Sequence, residues 1–131
     1  MTAPVTIAAI LQTDAPVLTP ATPIRRAVAL LVRDRTAAAP VVDESGTLCG
    51  ILTEKDCFRP ALNASYYQEW KGCVGDHMSR NVVSLPASAD LATAAEAFVN
   101  HSHRVFPVVE GKRLVGMLRR SDVLAALVDR G

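Results

Sequence analysis

Two short stretches carry side chains whose types and spacing could do chemistry: Thr53-Glu54-Lys55-Asp56 and Arg119-Arg120-Ser121-Asp122. A hydroxyl followed three residues later by a carboxylate, at the start of a helix, can meet a sugar and a phosphate together. The carboxylate accepts a hydrogen bond from each of two neighbouring hydroxyls, such as the 2′ and 3′ groups of a ribose. The Thr53 hydroxyl and the first backbone N–H groups of the helix can meet a phosphate. The same spacing is that of a capping box, in which Thr53 and Asp56 only close the helix start. Both readings stand, and they can coexist in part. In the second stretch Asp122 is kept and Arg119 replaces the hydroxyl. Its guanidinium either pairs with a polyphosphate, crowds the site, or lies solvated at the surface.

Other chemistry is thinly represented. His101 and His103 are two apart, and Cys73 and His77 four apart, but no three or four ligands stand at zinc-like spacing. There is no glycine-rich phosphate loop, nucleophile elbow or carboxylate–metal motif. The three cysteines, Cys49, Cys57 and Cys73, are odd in number and unpaired in spacing, as expected of reduced thiols. The expectation is therefore a binding protein, not an enzyme, with no catalytic residues, metal or required cofactor.

The elements that must position these residues occur twice. Pro40-Val41-Val42 returns as Pro107-Val108-Val109, Gly50-Ile51-Leu52 as Gly116-Met117-Leu118, and Asp56 as Asp122. The turn between the strands, Asp43 to Thr47, is one residue longer in the first copy, which loops tolerate. Upstream, Ile24, Ala27, Val28, Leu31 and Val32 share one helical face, as do Leu91, Ala94, Ala95, Phe98 and Val99. Thr22 followed by Pro23 predicts the start of the first of these helices, and Ser88, with Asp90 in the first turn, the start of the second. Ala15 to Pro20 and Val82 to Pro86 read as short strands. Val5 to Leu11 and Val74 to Met78 read as short helical turns ahead of each copy. Final helices begin near Glu54 and Arg120. Each half is thus strand, helix, strand, strand, helix.

The stretch Arg59 to Gly72 joins the halves and holds Tyr66, Tyr67 and Trp70, all the tyrosine and tryptophan of the chain. Tyr66 and Trp70 are four apart, so a helical turn would present them together. They read either as a cap over the core or as a surface for a partner or ligand. Half of the 131 residues are hydrophobic and the net charge is +1. A nucleic-acid binder would carry a basic surplus, and no apolar run reaches membrane-spanning length. The expectation is a cytoplasmic protein with neither nucleic-acid nor membrane partner.

The doubled pattern, in register over essentially the whole chain, resembles a tandem pair of CBS domains, or Bateman module. The resemblance implies an α/β (α+β) fold of two βαββα units about a pseudo-twofold axis: residues 1–62 as the first repeat, 63–73 as a connector and 74–131 as the second. It also implies an adenosine nucleotide (AMP, ADP or ATP) as regulatory ligand in the inter-repeat cleft, and a homodimer that signals to an unidentified protein partner. Carried onto this sequence, the ligand-binding residues are Thr53, Asp56, Asp122, Arg104, Arg119 and Ser121. Arg104, three before Pro107, stands where the family often carries a basic group that meets phosphate. Alternatives are a ligand-free interaction or scaffold module, or a sensor of S-adenosylmethionine.

Overall fold

The computed structural model describes residues 6–130, so Val5 lies outside the described residues. The chain divides into two compact units, one of residues 6–14 with 83–130, the other of residues 15–82. The division does not follow the sequence repeats. The arm that opens the first repeat belongs to the unit built on the second repeat, and the arm that opens the second belongs to the unit built on the first.

In the unit of residues 15–82, α1 (Ile24–Asp34) precedes the hairpin β1 (Ala38–Val42) and β2 (Leu48–Thr53). α2 (Glu54–Tyr67) and the short α3 (Val74–His77) follow. β1 and β2 are antiparallel, with Ala38 opposite Thr53 and Pro40 opposite Ile51. The hairpin turn is held by Asp43, whose Oδ1 accepts from the N–H groups of Ser45 (2.8 Å) and Thr47 (3.0 Å). Gly46, at φ 82°, supplies the left-handed residue the turn requires. The apolar face of α1 packs with both strands: Ile24, Leu31, Val41, Leu52 and Val74 are buried in one cluster.

The other unit repeats this order. β3 (Leu85–Pro86) runs parallel to β4 (Val105–Glu110), which pairs antiparallel with β5 (Arg113–Arg119). α4 (Leu91–Asn100) and α5 (Arg120–Arg130) pack together. Phe106 lies at the centre of its core, fully buried, with the ring of Phe98 4.6 Å away. Ile7, in a 3-10 turn of residues Ile7–Ile10, is buried in the same cluster.

Three local expectations are corrected. Helix α1 is entered through Pro23 as the capping residue, without a side-chain cap. The hydroxyl of Thr22 instead accepts from the Thr19 N–H (3.1 Å), because a turn precedes the helix directly. α4 is capped by Asp90, not Ser88; the Asp90 carboxylate accepts from the Thr93 N–H at 2.8 Å, a bond that lowers its pKa. The stretch Ala15 to Pro20 forms no strand of its own. It makes one parallel bridge, Leu18 beside Val41, because Pro16 and Pro20 lack the N–H groups a longer ladder needs.

The joining segment also departs from expectation. α2 continues through Pro60 as far as Tyr67 and ends where Gln68 turns left-handed, at φ 55°. Tyr66 and Trp70 therefore share no helical face. Trp70 packs against the buried cluster, whereas Tyr66 and Tyr67 are 74% and 73% exposed.

Two glycines let each arm close on its unit. The Ser79 and Ile51 backbones exchange hydrogen bonds of 2.9 Å, beside Gly50. The Gln12 and Met117 backbones do the same at 2.8 and 2.9 Å, beside Gly116. A Cβ on Gly116 would lie 3.1 Å from the Gln12 carbonyl oxygen and 3.1 Å from the Leu11 Cβ. Gly116→Val is therefore expected to destabilise the protein by about 1–3 kcal/mol, the usual cost of overpacking. Urea unfolding measures this; an unchanged midpoint would mean that the arm does not seat as closely as described.

Candidate functional site

The strand-to-helix turn at Thr53 is fixed by reciprocal bonds. The Thr53 Oγ1 accepts from the Asp56 N–H at 3.2 Å, and the Asp56 Oδ2 accepts from the Thr53 N–H at 3.0 Å. This is a complete capping box, with Asp in the place more often held by Glu or Gln. Glu54 donates its N–H to the Ala37 carbonyl at 2.9 Å. Two of the amides expected to face a phosphate are thus already bonded within the chain. One turn into α2, Cys57 is buried, and its thiol donates to the Thr53 carbonyl (3.3 Å). Burial, reinforced by the nearby Asp56 and Glu54 carboxylates, pushes the thiol up to about 11, so it stays protonated at neutral pH.

The capping role leaves Asp56 half available. Oδ2 takes the cap bond, while Oδ1 accepts no bond from the described residues. A carboxylate has lone pairs for several donors. Thr53 and Asp56 are both half-buried, so a ligand hydroxyl can reach the free oxygen without the helix start opening.

The second turn is built on the same frame but with a different electrostatic outcome. The Arg120 N–H donates to the Arg104 carbonyl at 3.0 Å, matching the Glu54 to Ala37 bond. Asp122, however, is engaged through both oxygens. The Arg119 Nε donates to its Oδ2 at 2.8 Å and Nη2 to its Oδ1 at 3.1 Å. That pair, together with the field of Asp14, raises the guanidinium pKa further. Arg119 thus turns onto its own carboxylate as an exposed, paired arginine. Ser121 is exposed and its hydroxyl makes no hydrogen bond among the described residues. Arg104 contributes its backbone carbonyl, and its exposed side chain makes no ion pair or hydrogen bond among the described residues.

The histidines beside Arg104 pack with Phe106. His103 stacks on Phe106 with ring centroids 4.9 Å apart, and His101 stands edge-on to both rings. Burial first, and the field of His101 second, lower the His103 pKa.

The residues that sequence reasoning missed lie on the arms. Gln12, Thr13 and Asp14 line an open groove of about 800 Å³ with Arg119 and Asp122. In the other unit the corresponding residues are Ser79, Arg80 and Asn81, at the repeat offset. Ser79 pairs with Ile51, and Arg80 lies close enough to Cys49 to oppose the upward shift that burial and Asp43 impose on its thiol. Extending the alignment of Val5–Leu11 with Val74–Met78 by three residues would have found them.

Comparison with known proteins places this geometry. The family model for the CBS domain matches residues 7–62 and again 74–129. The Bacillus subtilis protein YtoI is 37% identical over 89 residues, 67% of this chain and 18% of YtoI. The Methanocaldococcus jannaschii protein MJ1225 is 27% identical over 104 residues, 79% of this chain and 36% of that protein. The chain therefore spans only a minor part of either relative's length. Among solved structures, CBSX2, a CBS-pair protein from Arabidopsis thaliana, has been determined in complex with AMP. That complex is 27% identical, with a TM-score of 0.82, covering 95% of this chain and 97% of CBSX2. A twice-matched domain, a repeated element order and a shared fold lead to one conclusion: this chain belongs to the CBS-domain family, as a tandem pair.

Proposed function

We propose that the pair is a regulatory module that binds an adenosine nucleotide (AMP, ADP or ATP) at the start of α2 and signals by a change of conformation or of dimer arrangement. The observation that carries this is the state of the two carboxylates. Asp56 keeps one oxygen for a ribose hydroxyl after capping its helix, whereas Asp122 spends both on Arg119. The crystal structure of CBSX2 with AMP, at 27% identity, supports an adenosine compound as the ligand class. The role in this reading is binding rather than catalysis. A ligand that binds one arrangement better than another shifts the population towards it, and a partner reads the shift. The free thiols of Cys49, Cys57 and Cys73 suit a cytoplasmic setting, and no described helix is long and apolar enough to cross a membrane.

One observation favours a second reading, a ligand-free interaction module: Thr53 and Asp56 already satisfy each other as a cap. Thermal shift separates the two. A ligand that binds only the folded state raises Tm by mass action. AMP, ADP or ATP is expected to raise Tm in the wild type and to leave it unchanged in Asp56→Ala, which itself loses about 1 kcal/mol of stability with its cap. A rise for S-adenosylmethionine alone would change the ligand. No rise with any of them would favour the interaction module.

Apolar side chains stand exposed on the helices of both units. Val32 and Phe58 border a groove between α1 and α2, and Leu62 is a turn further on. Val99, Leu124 and Val128 are exposed on α4 and α5. Clusters of this kind mark association surfaces, and we assign them to a homodimer. Sedimentation velocity should show a dimer that Phe58→Asp weakens; monomer alone at every concentration would refute the assignment.

A further inference from the structure

The two units differ in charge where they match in fold. An open groove of about 500 Å³ runs along α2, one turn beyond Asp56, lined among others by Arg59, Asn63, Tyr66, Lys71 and His77. No carboxylate is among the described residues that line it. His77 also lines it, and the His77 Nε2 is buried with no hydrogen-bond partner among the described residues. Lys71 is held only loosely by Glu69, 3.9 Å away in an exposed pair, the kind of contact that contributes little. At the repeat offset, Arg59 and Asn63 of α2 correspond to Ala125 and Asp129 of α5. The groove along α5 accordingly carries Asp14, Asp122 and Asp129, against the single cation Arg119, which Asp122 already neutralises.

We infer that the units select by charge: the α2 groove accepts the phosphate of an adenosine nucleotide through Arg59 and Lys71, and the α5 groove turns phosphates away. The inference rests on the nucleotide reading above and adds to it the stoichiometry and the groups that grip the phosphate. Asp56 and Arg59 are three apart on one helix, hence neighbours on its surface. A nucleoside held by Asp56 brings its phosphate within the reach of a guanidinium, whose planar fork suits it. Salt screens charges over roughly 8–10 Å; the charges nearest a bound phosphate are those of the residues lining each groove, with Glu69 also beside Lys71 of the α2 groove. In the α5 groove these are Asp14 and Asp129, left without a cation of their own once Arg119 and Asp122 have paired.

Calorimetric titration of the full chain with ADP and, separately, with adenosine tests this. The expected result is one ADP per chain. Arg59→Gln combined with Lys71→Gln should weaken ADP binding by about tenfold, the loss of one good charge-assisted contact, and leave adenosine binding unchanged. Both residues are exposed, so the melting temperature without ligand serves as the folding control. Two ADP per chain of similar affinity would overturn the inference, as would a double variant that loses ADP and adenosine equally or loses neither. If the wild type binds neither compound, the nucleotide reading itself fails and takes this inference with it.

Discussion

Each unit is closed by a pair of backbone hydrogen bonds between an arm and a strand: Ser79 with Ile51, and Gln12 with Met117. Beside these bonds the arm also crowds Gly50 and Gly116, where an added Cβ would meet Met78 and Ser79 in one unit and Leu11 and Gln12 in the other. From this contact the rest follows. The arm delivers Ile7 or Val74 to the core. In the α5 groove it also sets polar residues opposite the strand-to-helix turn, and there the Arg119–Asp122 pair sits.

The two turns show how one frame gives two electrostatic outcomes. A single change, Thr53 against Arg119 at matching positions, decides what the following aspartate does. With threonine, the aspartate caps its helix and keeps an oxygen. With arginine, the guanidinium takes both oxygens in a fork. Capping and recognition are therefore compatible at Asp56, because a carboxylate accepts more bonds than a cap requires. The two copies share a backbone frame and differ in the side chains it carries.

Much of this was legible in the sequence. The hairpins were marked by proline, β-branched residues and a turn at fixed offsets, and α1 and α4 by apolar residues on one face. The Thr53 and Asp56 cap was visible, because the spacing is that of the first helical turn, and the same spacing suggested the ligand-binding pair proposed above. What the sequence hid was non-local. Gln12 to Asp14 and Ser79 to Asn81 carry no periodic pattern, and their position depends on a strand far away in the chain. Gly50 and Gly116 read only as landmarks of the repeat, since nothing local shows what passes beside them. The competition between Ser88 and Asp90 for the cap was decided by which of them the Thr93 N–H could reach, a matter of backbone geometry. Likewise, the pairing of Arg119 with Asp122 depends on a rotamer that residue types alone do not specify.

The central claim is that the turn at the start of α2, and not its counterpart at the start of α5, receives the ligand. Amide chemical shifts of 15N-labelled protein, followed as AMP is added, test it most directly. The account predicts the largest changes at Thr53, Glu54 and Asp56, with Arg119 to Val123 nearly unmoved. Equal changes at both turns, or changes confined to Arg119 to Val123, would contradict it.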